Sequence, residues 1–178
     1  MKQAPDILHG KKFEKYINEV MHPLHLKFRS NWRRILDSAS AGNLIEATEG
    51  DFELLFPSGS RGHMIGFVVE CKASKVHLSL GACFRSIVKV KQLAKMRLKI
   101  RAGMYGVYLF HSVENEEIEV WAAPPIIEAH PLKRTKFFCQ PALVSSYANF
   151  PHVALEWFKD PEAFLAKLIR SETVPVGV

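Results

Sequence analysis

Asp51-Phe52-Glu53-Leu54-Leu55-Phe56, then Pro57-Ser58-Gly59-Ser60-Arg61-Gly62, then the long run His63-Met64-Ile65-Gly66-Phe67-Val68-Val69-Glu70-Cys71-Lys72, decide how this chain is read. The first piece has the apolar and aromatic content of a short strand, the second is a dense turn signal, and the third returns as a strand with few polar interruptions. Folding the pair about its turn brings Asp51 opposite the region from Val68 to Glu70. Side chains alternate across a strand, so Glu70 and Lys72 share a face. A register that pairs Asp51 with Val68 or with Glu70 puts Asp51 on that face too, and a slip of one residue removes it. Glu53 lies two residues from Asp51 and follows the same parity.

A strand that buries its apolar residues and then delivers a carboxylate and an ammonium places charge where burial is costly, so both groups need partners. A divalent cation and a phosphate are the natural ones. Hard cations such as Mg2+ take oxygen ligands, commonly one or two protein carboxylates with water and substrate phosphate completing the shell. Asp51 and Glu70 suit that task, with Glu53 as an alternative ligand. The backbone carbonyl of Cys71 is a further expected ligand, its side chain pointing to the opposite, buried face. Lys72 is placed to orient an attacking water or to offset charge developing on phosphate. An acid-x-Lys triplet taken alone is more often a solvated surface pair, so its neighbours carry the weight.

Charge is the first of these neighbours. The chain has 178 residues, 48% of them apolar, and a net charge of +6. No Asp or Glu occurs from Cys71 to Val113, whereas Lys72, Lys75, Arg85, Lys89, Lys91, Lys95, Arg97, Lys99 and Arg101 all fall there. Most lie on one expected helix, about residues 82–102, with Ile87, Val88, Leu93, Met96 and Ile100 in its apolar stripe and Gly103 as its C-cap. A helix with basic residues over much of its surface suits phosphate backbones. Lys75, Arg85, Lys89, Lys91, Lys95 and Lys99 are the expected nucleic-acid contacts.

The remaining elements are ordered around that pair. A helix is expected from Gly10 or Lys11 to about Met21, a second short helix over residues 31–39, and a strand over 43–48 before the two already described. After the basic helix come strands at 104–110 and 118–122 across the polar turn 114–117. Asp160-Pro161-Glu162 opens a last helix to about Arg170. Phe137, Phe138, Trp157 and Phe158 are expected to pack that helix onto the core. His111, at a strand end, reads as a structural histidine, and His22, His25 and His63 have no ligand-like spacing.

Length and composition fit a single globular domain, with a core over about residues 10–125 and a C-terminal elaboration over about 126–178. No apolar stretch is long enough to span a bilayer, and no secretory leader is visible. Cys71, Cys83 and Cys139 form no paired spacing, which points to neither a disulfide framework nor a zinc site. The expectation is an intracellular protein of the cytoplasm or nucleoid, with no membrane partner.

Asp51, the Glu70-x-Lys72 triplet and the order of elements resemble the PD-(D/E)XK nuclease superfamily, whose core is a mixed central sheet flanked by helices. Within it, three segments resemble Holliday junction resolvases of the RecU and Hjc type. Gly10-Lys11-Lys12-Phe13-Glu14-Lys15-Tyr16-Ile17-Asn18 is similar to the family's opening helix, with Glu14 at its metal-associated acid. Thr48-Glu49-Gly50-Asp51 is similar to the segment of the first catalytic aspartate. Lys91-Gln92-Leu93-Ala94-Lys95-Met96, followed by Gly103-Met104-Tyr105-Gly106-Val107-Tyr108-Leu109, resembles the family's His-Gln helix and next strand, with Gln92 at the glutamine. The chain departs from the pattern in having Lys91 where that glutamine often follows a histidine. Only 37 positions separate Glu14 from Asp51, which leaves room for at most a short version of the stalk that RecU proteins insert there.

The resemblance implies an α/β, restriction-endonuclease-like fold. It also implies a Mg2+-dependent endonuclease, for which Mn2+ can substitute, that makes symmetric nicks in four-way DNA junctions. Two symmetric cuts favour a homodimer. Asp51, Glu70, Lys72 and Gln92 are then catalytic, and Asp51, Glu70, the Cys71 carbonyl and Glu14 hold metal. A restriction-like or repair endonuclease on duplex DNA, and a non-catalytic DNA-binding protein of the same fold, stay open as alternatives.

Overall fold

Phe52–Pro57 (β2) and Met64–Ser74 (β3) pair as an antiparallel hairpin in the register Phe52↔Val69, Glu53↔Val68 and Leu54↔Phe67. This computed structural model describes residues 5–35, 51–57, 64–74, 90–122 and 143–170. The expected strand at 43–48, the turn at 58–62, residues Lys75, Arg85 and Lys89, and Phe137 and Phe138 lie outside them. The eleven-residue β3 runs past its partner, and its C-terminal half pairs in parallel with Tyr105–Ser112 (β4), Glu70 opposite Tyr108 and Lys72 opposite Phe110. A parallel neighbour requires a crossover. Helix Val90–Arg101 (α2) lies within it.

Outward from this centre, Asn31–Arg34 (β1) adds to β2, Glu117–Ala122 (β5) to β4, and Leu143–Ser146 (β6) to β5, all antiparallel. The result is a six-stranded mixed sheet in the order β1-β2-β3-β4-β5-β6, flanked by helices. Pro5–Lys27 (α1), Phe150–Lys159 (α3) and Pro161–Arg170 (α4) complete the described elements. No helix among the described residues is long and apolar enough to cross a membrane.

One face of the sheet is apolar. Phe13, Ile17 and Met21 recur along α1 at a spacing of four and are buried against Phe52, Leu54, Phe67, Val69, Cys71, Val107 and Leu109. Phe150, Ala154, Trp157 and Phe158 of α3, with Phe164 and Leu168 of α4, enter the same core. The ring of Trp157 stacks on Phe164 with centroids 4.6 Å apart. Both faces of β3 are covered, which is why its sequence reads as an almost continuous apolar run.

The segment after α1 corrects the sequence reading. Residues 31–34 form a strand, where a short helix was expected. Trp32 is its one apolar side chain. It is buried, stacks on Phe52 at 4.5 Å, and donates through Nε1 to Asn18 Oδ1 at 3.0 Å, while Asn31 and Arg33 on either side stay exposed. One buried residue between exposed neighbours fits the two-residue period of an edge strand. Arg29, with φ 52°, reverses the chain after α1, which extends further at both ends than its apolar stripe indicated.

Helix ends follow the expected chemistry. Gly103 takes φ 94° after α2, its N–H bonds to the Ile100 carbonyl, and Met104 N–H bonds to the Lys99 carbonyl, a Schellman closure. Asp160 caps α4 by accepting from Ala163 N at 2.8 Å. The sequence did not indicate α3 or β6. Trp157 and Phe158 belong to α3, so the C-terminal segment joins the main core through an additional helix.

Candidate active site

Asp51 immediately precedes β2, whose pairing with β3 begins at Phe52↔Val69, and its carboxylate acts on that of Glu70. Asp51 N–H donates to the Val69 carbonyl at 2.9 Å, and the Asp51 carbonyl accepts from Ile35 N at 2.9 Å, so its backbone is held from both sides. Its carboxylate Oδ2 accepts from Cys71 N at 2.6 Å. The Cys71 side chain is buried in the apolar core on the other face, as the alternation of β3 requires, and burial pushes its thiol well up.

Glu70 is only 2% exposed. Its Oε1 accepts from Lys72 Nζ and from Gln92 Nε2, the latter at 2.7 Å. Gln92 comes from the first turns of α2, so the crossover between the two parallel strands delivers this amide to the end of β3. Burial, with the Asp51 carboxylate beside it, pushes Glu70 up to about 7 despite the pull of Lys72. For Lys72, burial works against the ammonium, but Glu70 and Asp51 outweigh it and raise its pKa. Lys72 is therefore a charged group near neutral pH, held between two acids.

Glu14 approaches from α1. Its carboxylate accepts from Arg34 Nη2 at 2.8 Å. Burial and then Asp51 raise its pKa, while Arg34 and Lys72 pull the other way. It thus feels the field of the site while bonding to Arg34. Among the described residues no three His, Cys, Asp or Glu side chains gather into a metal cage. A Mg2+ ion needs fewer, because one or two carboxylates with water and phosphate satisfy it. Two acidic neighbours, one of them buried and driven towards protonation, form a donor pair whose repulsion a divalent cation would relieve. Asp51 and Glu70 fit such an ion on that ground.

Of the expected contacts on α2, Lys99 lies on the same sheet face, but its ammonium bonds to Glu53 Oε1 at 3.0 Å. Lys95 is half-buried, and the side chain of Lys91 lies outside the described residues. Glu53, the alternative ligand, is 4% exposed and is claimed by Lys99 and by Arg33, whose Nε donates to Oε2 at 2.8 Å. Burial opposes its charge, yet these two cations hold its pKa below the usual value. His111 packs between Phe13 and Tyr147 on the apolar face, with ring centroids 5.0 and 5.1 Å away.

Arg33 and Arg34 are the residues that sequence reasoning missed. Each binds an acid next to the site, one on either side of the sheet edge. The available signal was Trp32 isolated between polar residues, which marks an edge strand and places consecutive arginines on opposite faces. Neither a protein-family model nor a curated protein matches the chain.

Proposed function

We propose that the chain is a Mg2+-dependent DNA endonuclease of the PD-(D/E)XK type that cuts four-way junctions as a homodimer. The convergence of Asp51, Glu70, Lys72 and Gln92 at the end of two strands carries the nuclease reading. The branched substrate and the dimer rest on the resemblance of the sequence segments around Glu14, Asp51 and Gln92 to junction resolvases.

Asp51 and Glu70 would hold the ion, which supplies Lewis acidity at the scissile phosphate. The Cys71 carbonyl and Glu14 are the further donors implied by the resemblance. Lys72, positively charged and nearly buried, stands where it can orient a water for in-line attack and offset the charge gathering on the phosphoryl oxygens. Gln92 fixes the Glu70 carboxylate through Oε1, so its effect on chemistry runs through Glu70. A binding module without chemistry gains nothing from two carboxylates beside a phosphate path, since they repel the ligand. That cost favours an enzyme over the non-catalytic alternative.

The test is cleavage of a labelled four-way junction beside a matched linear duplex and a single strand, in Mg2+ or EDTA, by wild type, Asp51→Ala and Lys72→Ala. Paired symmetric nicks in the junction, lost in EDTA and in both variants, are the expected result. Cutting of duplex as fast as junction would retain the nuclease and remove the junction. Absence of cleavage by wild type in Mg2+ and in Mn2+ would overturn the reading.

A further inference from the structure

Glu53 is a buried carboxylate that the proposed chemistry does not use. It stands opposite Val68, two residues before Glu70 on β3, so Glu53 and Glu70 are diagonal neighbours on one sheet face, about 7–8 Å apart. Among the described residues each accepts from two side chains, one of them on α2. Glu70 takes Gln92, and Glu53 takes Lys99, seven residues or two helical turns further along. The second donor to Glu70 is Lys72, and the second donor to Glu53 is Arg33 on edge strand β1.

The arrangement differs from an ordinary surface pair. The carboxylate is almost wholly inside, while the Arg33 side chain is 62% exposed and that of Lys99 is 29% exposed. A guanidinium has five N–H donors in a fixed fork, and Arg33 directs Nε and Nη2 at Glu53. Anchoring that edge of the fork fixes the direction of the rest, which lowers the entropy lost when a second anion binds.

We propose that Arg33 and Lys99, held in place by the buried carboxylate of Glu53, form a second phosphate subsite for the strand whose scissile phosphate lies at Asp51, Glu70 and Lys72. The inference rests on the nuclease reading for the position of the scissile phosphate. Glu53 is a positioning residue in this subsite and not a metal ligand, because both its oxygens are taken by cations. Arg33 carries the contact on the side of the sheet where α2 lies, so the strand enters between β1 and α2.

The experiment measures binding of a fluorescent four-way junction and a fluorescent duplex in EDTA by anisotropy over a range of salt, with melting of each variant recorded alongside. The variants are Glu53→Gln, Arg33→Ala, Arg33→Lys and, as a distant control, Lys159→Ala. The proposal expects Arg33→Ala to weaken binding about tenfold and to reduce the salt slope by about one. Arg33→Lys falls between, and Lys159→Ala matches wild type. Glu53→Gln adds a net positive charge, so a diffuse basic surface would bind DNA more tightly. A positioned subsite binds it more weakly.

Tighter binding by Glu53→Gln, or an unchanged affinity and salt slope in Arg33→Ala, overturns the proposal. Arg33 is exposed enough for its variant to carry the test should Glu53→Gln fail to fold. If wild type shows these dependences but cleaves nothing in Mg2+, the subsite stands and the hydrolytic reading falls. If wild type cleaves and Arg33→Ala cleaves with an unaltered KM, the subsite falls alone. Failure of wild type to bind DNA removes both.

Discussion

Replacing Asp51 by Asn should make the metal-free protein more stable at pH 8 while abolishing cleavage. Glu70 has an ordinary value of 4.5 and is pushed to about 7, first by burial and second by the Asp51 carboxylate. Between pH 4.5 and 7 the unfolded chain releases this proton while the folded chain keeps it. Stability therefore falls as pH rises through that window and levels off above it. The full displacement corresponds to about 3 kcal/mol, and the Asp51 carboxylate, the second cause after burial, supplies part of it. Asparagine keeps a side-chain oxygen to accept from Cys71 N, so the backbone geometry at the end of β3 is retained. Urea unfolding in EDTA at pH 5 and pH 8 measures both quantities. Asp51→Asn should gain part of that about 3 kcal/mol over wild type at pH 8 and little at pH 5. Added Mg2+ at a hundred times its Kd should stabilise wild type by about 2.7 kcal/mol and the variant far less. A variant less stable than wild type at pH 8, or one with an undiminished pH slope, would refute the electrostatic account of the Asp51–Glu70 pair.

Gln92→Ala should lower cleavage by about 10–100-fold, the range for removing a group that orients a ligand residue, and should leave DNA binding in EDTA unchanged; a parallel loss of binding would instead make Gln92 a substrate contact. Lys72→Met, measured by single-turnover cleavage at saturating DNA, should cost at least about 100-fold in rate. Trp157→Ala, which empties the apolar face beneath α3, should destabilise by about 3–5 kcal/mol in urea titration. Asp160→Ala should cost about 1 kcal/mol through loss of the α4 cap, read by the same titration.

The strongest local signals in the sequence led to the right elements. The apolar runs of β2 and β3, the Gly103 terminus of α2 and the Asp160 cap of α4 each have a short-range physical cause, and each is found in place. The proximity of Asp51 to Glu70 was also legible, because strand pairing across one turn leaves few registers. Residues 31–34 misled because their structure depends on Trp32 finding Phe52 and Asn18, contacts that local propensity does not contain. Helix α3 was hidden by the absence of a side-chain cap at Asn149, which left Pro151 in its first turn as an isolated start signal. The ion pairs of Glu53 were not legible for a related reason. Parity along β2 put it on the same face as Asp51, but only tertiary structure brings Arg33 from an edge strand and Lys99 from the far end of α2 to its two oxygens.

The two faces of the sheet divide the work of stability and chemistry. α1, α3 and α4 close one face with aromatic and aliphatic side chains, and this packing can offset a cost of about 3 kcal/mol incurred elsewhere. The other face takes α2, which buries Met96 and reaches the sheet with polar groups two turns apart, Gln92 to Glu70 and Lys99 to Glu53. Two buried acids are poor choices for stability alone, since well-packed apolar residues of similar volume commonly serve as well or better. One of these acids is left short of compensating charge and driven towards protonation, whereas the other is compensated by two cations that remain partly in solvent. On the proposed reading that difference gives them different tasks: Glu70 would accept a cation, and Glu53 would hold cations for an anion. A helix bearing both partners fixes the spacing between them, so on that reading a shift of α2 along the sheet would disturb metal binding and strand placement together.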